Sequence, residues 1–195
     1  MTKKEFEFYK SFWIQIIKNI GVYSKMAFSQ STVVWQKRDA QMARNIIWLA
    51  KAFPNKKIIV WAATDHILKN QTFINGNTYD SNTLDRMGHI LNWHFGNAMY
   101  SIGFTAYGGS VLNIGTKIAY TLQTPSKGSL EDILSGLPGE ILFVDYQNNN
   151  TSLSQKLGEK FISRPLGNAE MAGNWMKCLD GMVFIRNTKP SIIEK

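Results

Sequence analysis

Segments with helical apolar spacing alternate along this chain with short, unbroken apolar runs, and that alternation restricts the fold more than any other feature of the sequence. Phe6, Tyr9, Trp13, Ile16, Ile17 and Ile20 follow the helical repeat, with Glu7, Lys10, Ser11, Gln15 and Lys18 on the other side. The spacing predicts an amphipathic helix over 4–26 with one broad buried face. A second helix is expected from Ser31 or Thr32, either of which can cap it, to Ala52, closed by Phe53-Pro54-Asn55. Ile58-Ile-Val-Trp-Ala-Ala63 then forms a continuous apolar run, the pattern of a strand buried on both faces of a parallel sheet. A third helix, capped by Thr83, is expected over Leu84–Phe95 and stops at Gly96. Met99–Ala106, Glu140–Asp145 and Met182–Ile185 read as further strands, with a weaker one over Lys117–Leu122. Asn75-Gly-Asn77 and Tyr107-Gly-Gly-Ser110 read as turns, and short helices are expected at Ser152–Leu157 and Asn168–Lys177. Ser129-Leu-Glu-Asp132 has the form of a capping box with Asp in place of Glu. The expected architecture is α/β: a layered, largely parallel sheet with flanking helices over 31–195, preceded by an amphipathic helix within 1–30.

Composition supports a packed core. With 195 residues, 44% hydrophobic, 18% charged and 5 Pro, the chain is neither disordered nor collagen-like. A lone cysteine, Cys178, rules out an intrachain disulfide scaffold. The net charge of +8 is spread over single and paired basic residues, so a basic surface is expected and no specific nucleic-acid partner. No run approaches the roughly 20 apolar residues needed to span a bilayer. The opening segment, with Glu5 and Glu7, lacks the apolar stretch of a signal peptide, so no membrane association and a cytoplasmic location are expected.

Most catalytic signatures are missing. There is no G-x-S-x-G, no phosphate-binding loop around Gly115-Thr116-Lys117 and no dinucleotide-binding glycine pattern, so no cofactor is expected. His89 and His94 lie five apart rather than the four that aligns metal ligands on a helix, and no metal site is expected. The promising constellation is Thr64-Asp65-His66, delivered where the first apolar run ends, at the strand edge where open parallel sheets bind ligands. Thr105, Tyr107, Asp145 and Tyr146 are expected along the same edge. A histidine beside a carboxylate could act as a base with its orienting partner; a capped loop with a satisfied polar His66 fits the spacing too. Arg38, Met42, Asn45 and Leu49 share a helix face expected to dock on the sheet, where Arg38 could hold a carboxylate or form a structural ion pair.

Together these blocks resemble the erythromycin esterase family, which includes succinoglycan-biosynthesis-type proteins. Arg38-Asp39-x-x-Met42-Ala43-x-Asn45 is similar to that family's R-D-x-x-M-A-x-N helix, and Trp61-Ala62-x-x-x-His66 to its W-A-H-N-x-H turn. Met87-Gly88, Tyr100-x-Ile102-Gly103-Phe104, Gly128-Ser129-Leu130-Glu131 and Asp180-x-x-x-Phe184 follow in order. The resemblance implies an erythromycin-esterase-like fold, ester or lactone hydrolysis by activated water, and a role in the response to antibiotics. It implies catalytic positions at His66, Arg38 and Asp39, and substrate contacts drawn from Asn45, Thr64, Asp65, Tyr107 and Asp145. The family's first histidine and asparagine of H-N-x-H are replaced by Ala63 and Thr64. Its amino-terminal histidine–glutamate pair has no counterpart before Arg38, so the chain resembles the carboxyl-terminal portion of the family's domain. Three expectations follow: an esterase-like protein impaired as an isolated chain, a module binding a small ester or glycan, or half of an enzyme completed by another chain or a second copy.

Overall fold

The structure, a computed structural model, describes residues 1–28, 32–74, 86–113, 115–148 and 155–191. Ser31, Thr83, Asn75-Gly-Asn77 and Ser152, named above as caps, a turn and a helix start, lie outside the described residues.

Phe8, Ser11, Phe12, Gln15 and Asn19 form one row along the first helix, α1 (Lys3–Phe28), and this row seats it on α2 (Thr32–Ala52). The Phe8 and Phe12 rings lie 5.7 and 6.2 Å from Trp48, whose Nε1 donates to Ser11 Oγ at 3.2 Å. Asn45 Nδ2 donates to Asn19 Oδ1 at 2.9 Å. The seam is narrow and partly polar: no α1 residue is buried, contrary to the broad buried face expected, and Trp13 and Ile17 stay exposed. The opposite side of α2 packs through Ala43, Met42 and Ile46 on Met87 and Leu91 of a later helix, Met87–Phe95. So α2 docks on helices rather than on the sheet.

The four-stranded sheet is built from β1 (Ile102–Asn113), β2 (Ile118–Thr121), β3 (Ile141–Asp145) and a last strand, Gly181–Thr188, which inserts between β1 and β3. The chain is α/β, as expected, but the pairing is mixed: the last strand runs parallel to β1 and antiparallel to β3, and β2 is antiparallel to β1. Only residues 114–117 separate β1 from β2, too few for the crossover that a parallel pair requires. One sheet face carries Thr105, Leu142, Val144, Met182 and Phe184 into a core with Leu130, Leu134, Trp175 and Leu179. Leu130 and Leu134 come from a short helix, Leu130–Ser135, whose Ser129 Oγ accepts from the Asp132 amide at 3.2 Å while Asp132 Oδ2 accepts from the Gly128 amide at 2.8 Å. The Ser129 cap therefore forms, but not the reciprocal half of the capping box: the Ser129 amide donates to the Ser126 carbonyl at 3.0 Å, and Asp132 takes the Gly128 amide instead.

Three other expectations are corrected. Ile58–Ala63 forms neither helix nor strand and joins no ladder among the described residues, and Ile59 and Trp61 are 92% and 83% exposed. The apolar run reports a segment suited to burial, and among the described residues only its Ala62 packs on a core, that of Ala43, Met87 and Leu91. Tyr107–Ser110 is not a turn but the continuation of β1, where the strand passes so close to its neighbour that a Cβ on Gly109 would lie 2.1 Å from Thr188 O. The 168–177 stretch is not one helix: β4 (Phe161–Leu166) and β5 (Ala169–Gly173) form a hairpin, followed by the short helix Trp175–Cys178. Gly167 and Asn168, both at positive φ (61° and 63°), make the two-residue turn, and Gly-Asn between apolar runs is a hairpin signal the sequence did contain. Numbering in chain order, Thr64–Ile67 is α3, Met87–Phe95 α4, Leu130–Ser135 α5, Trp175–Cys178 α6 and Gly181–Thr188 β6. No helix among the described residues is long and apolar enough to cross a membrane.

Candidate functional site

The site forms where α2, α3 and α4 meet. Asp39, on the α2 face turned toward α4, is 1% exposed, and a carboxylate so buried needs cationic or donor partners to offset its lost hydration. It has two. His66 Nδ1, in the single turn of α3, lies 2.9 Å from Asp39 Oδ2, and an Arg86 Nη approaches the same oxygen within 3.6 Å. A carboxylate only accepts, so the His66 Nδ1–H donates, and Nε2 makes no hydrogen bond to any described residue. Arg86, immediately before α4, also donates to Asp65 Oδ2 at 2.8 Å, while Gln71 Nε2 donates to the Asp65 carbonyl at 3.1 Å. One guanidinium thus joins two carboxylates from different elements and fixes the loop that carries His66.

Backbone contact brings these elements together. A Cβ on Gly88 would lie 2.3 Å from the Ile67 carbonyl carbon and 2.5 Å from Leu68 O, so the first turn of α4 rests directly on the end of α3. Beside the polar cluster opens a cleft of about 330 Å³ lined by Ala63, Thr64, Asp65, Pro165, Leu166, Gly167 and Met171. Its far wall is the tip of the β4–β5 hairpin. The hairpin is held by Arg164, only 3% exposed, which donates to the Ala106 carbonyl at 2.8 Å and the Gln123 carbonyl at 2.7 Å.

The structure therefore assembles His66, Asp39, Asp65 and Thr64 and leaves the other expected residues elsewhere. The neighbour of His66 on α2 is Asp39, the residue after Arg38, and the guanidinium seated on the paired carboxylates is that of Arg86; Arg38 is half-buried. Asn45 belongs to the α1–α2 seam, bonded to Asn19 and Gln41, because α2 turns that face to α1. Tyr107 packs on the main core and Thr105 donates to the buried Glu131, both on the α5 side of the sheet. Asp145 does lie at the end of β3, but β3 runs antiparallel to β6, so this end meets the start of β6 rather than the finish of β1. There it accepts from the Tyr100 hydroxyl at 2.7 Å, a bond that holds Asp145 below the usual carboxylate range; burial and the same bond push Tyr100 up to about 12. Nearby, Asp180, 2% exposed, accepts from Lys69 Nζ and, at 2.8 Å, from the Ser101 amide, tying α3's exit to the starts of β1 and β6. Sequence reasoning missed Arg86, whose signal was its place directly before Met87-Gly88.

Among the described residues no group of three or more His, Cys, Asp or Glu could hold a metal ion. Cys178 is fully buried, donates to the Asn174 carbonyl at 3.3 Å, and burial pushes its thiol up to about 12. It should resist a disulfide reagent such as DTNB at pH 8 in the folded protein and react fully in guanidinium. Reaction of the native chain at the rate of a free thiol would show that the buried setting is wrong.

Fold and site together define a class: a mixed-sheet α/β protein with a histidine–carboxylate pair clamped by an arginine beside an open cleft. The erythromycin esterase family profile matches residues 4–188, and the chain belongs to this family. It is 28% identical over 166 residues to YbfO of Bacillus subtilis (strain 168), a provisionally named hydrolase, covering 81% of this chain and 36% of YbfO. Its fold is similar to that of a succinoglycan biosynthesis protein (TM-score 0.69, 19% identity, 89% of this chain and 44% of that one). It is also similar to the erythromycin esterase EreC, solved as a histidine-to-asparagine variant in an open conformation (TM-score 0.57, 18% identity, 83% and 40%). The chain thus spans less than half the length of each of these relatives.

Proposed function

We propose that this chain carries the proton-handling part of an esterase-type site, with His66 as the base, and does not turn over esters by itself. The observation that supports this reading is the His66–Asp39 contact at 2.9 Å with Arg86 across both carboxylates. Held by Asp39, the imidazole can take a proton from water at Nε2 and be stabilised as imidazolium, the step that ester hydrolysis by activated water requires. Arg86 keeps Asp39 and Asp65 oriented, and with Gln71 it occupies Asp65, so Asp65 is an anchor of the loop rather than a free acid. Hydrolysis further needs donors at the developing oxyanion. Ala63, where the family pattern has a histidine, presents only a methyl group to the cleft. The cleft volume lies within the range of small-molecule sites, which favours retained binding of a small ester or glycan.

At alkaline pH, nitrogen NMR should show the His66 ring in the Nδ1–H tautomer, and Asp39→Ala should return it to the Nε2–H form preferred by free imidazole. With an aryl ester and a macrolide as substrates, the chain should show no hydrolysis above its His66→Ala variant. Turnover abolished by His66→Ala would overturn the proposed impairment, and a wild-type ring in the Nε2–H tautomer would overturn the role of Asp39. A thermal-shift series with macrolides and oligosaccharides reads binding directly, because a ligand at a hundredfold its dissociation constant adds about 2.7 kcal/mol.

A further inference from the structure

His66 stands on a single turn of four residues, too short to hold itself as a helix. α3 has no side-chain cap at its start, so its position is set by what grips it from outside. Arg86 and Gln71 grip the entry through Asp65. The exit is gripped separately, around one carboxylate that the hydrolytic reading does not use. Asp180, 2% exposed, takes three donors: Lys69 Nζ and Gln147 Nε2 (2.5 Å) on Oδ1, and the Ser101 amide (2.8 Å) on Oδ2. Two of these donors lead back to the loop that carries His66. Lys69 follows α3 directly after Leu68; its amide donates to the Cys178 carbonyl at 2.9 Å, and its carbonyl accepts from His89 Nδ1 at 3.0 Å. Ser101, fixed at its amide by Asp180, donates its hydroxyl at 2.8 Å to the carbonyl of Ile67, the neighbour of His66. The hold is mutual, because the Asp180 amide donates to the Ser101 carbonyl at 2.8 Å. Asp180 and Ser101 are both buried, so this set of bonds closes among interior residues.

We infer that Asp180 is a positioning residue for His66: through Lys69 and Ser101 it holds the exit of α3 so that the imidazole keeps its Nδ1–H on Asp39. The inference rests on the reading of His66 as a base paired with Asp39, and adds a second hold on the loop beside that of Arg86. Asp39 belongs to α2, so a shift of α3 alone misaligns the pair, and a hydrogen bond weakens steeply once its distance or angle is lost. Asp180→Asn replaces one accepting oxygen by an NH2 group that only donates. Whichever way the amide turns, one route fails, because the NH2 then faces either Lys69 and Gln147 or the Ser101 amide. Ser101→Ala cuts the second route by itself, removing one hydroxyl and no charge.

The test uses the full chain at alkaline pH and measures, by nitrogen NMR, the ratio of the Nδ1–H to the Nε2–H tautomer of His66. Both variants should lower that ratio about fivefold, the effect of weakening one side-chain hydrogen bond. Glu131→Gln controls for a general loss of stability. The Glu131 bonds run to Thr105, Ser163 and Arg164 and none to α3, so this variant should keep the wild-type ratio. Should Asp180→Asn fail to fold, Ser101→Ala decides the outcome. The inference is overturned if either variant, folded, keeps the wild-type ratio, or if Glu131→Gln lowers it equally. A wild-type ring in the Nε2–H form overturns the pairing with Asp39 and this inference with it, whereas an unmoved ratio leaves that pairing standing.

Discussion

Replacing Gly88 by alanine should lower the stability of this chain by about 3 kcal/mol, the upper end of what one added methyl costs in a tightly packed contact. The added Cβ meets backbone rather than a flexible side chain: the Ile67 carbonyl carbon at 2.3 Å and the oxygens of Ile67 and Leu68 at 2.5 Å. Backbone cannot rotate away, so α4 has to lift from α3. Arg86 sits one residue before α4 and His66 one residue before Ile67, so the same displacement pulls the guanidinium from Asp65 and Asp39. For a domain of this size the loss corresponds to a fall in Tm of roughly 6–12 °C. The His66 tautomer should become mixed even at temperatures where the variant is still folded. A Gly88→Ala protein with unchanged Tm and an unchanged His66 spectrum would show that α3 and α4 are not in backbone contact.

Glu131→Ala should cost about 3–5 kcal/mol, as expected when one partner is removed from a buried charged cluster. Glu131 is completely buried, and its Oε1 accepts from the Thr105 and Ser163 hydroxyls, the latter at 2.6 Å, and from the Arg164 amide at 3.0 Å. Those donors come from β1 and β4, so one carboxylate pins α5 to both sheets. Truncation strands three buried donors, each worth about 1–3 kcal/mol when unsatisfied. Glu131→Gln retains the accepting oxygen and should lose only about 1–2 kcal/mol, the difference between a charged and a neutral acceptor. Urea titrations of both variants measure this. Equal losses for Ala and Gln would mean that charge, not acceptor geometry, holds the cluster; a loss below about 1 kcal/mol for Ala would remove the clamp altogether.

The blocks that resemble the family contain Asp39, His66, Gly88, Glu131 and Asp180 without revealing why each is there. Each of these positions proves to be a junction between elements, which spacing along one chain cannot show. Asp39 and Asn45, six residues apart on one helix, illustrate the difficulty: one faces α3 and α4, the other faces α1. Helical periodicity separates faces but cannot say which neighbour covers each. Asn168–Lys177 contains helix-compatible residues, but the Gly167-Asn168 turn decides the conformation locally through two positive φ angles.

What the sequence alone determined is the set of elements whose signals are local: the helices of 3–28, 32–52 and 130–135, the strand at 141–145, and the α/β class that their alternation imposes. Local signals suffice there because capping, helical spacing and apolar runs act over a few residues. Tertiary structure decided the rest: the antiparallel turn of β3 that carries Asp145 away from the end of β1, the choice of Arg86 as the clamp, and the bare run at Ile58–Trp61. An apolar run states only that burial would be favourable. Whether anything arrives to bury it depends on surfaces far away in the chain or outside it.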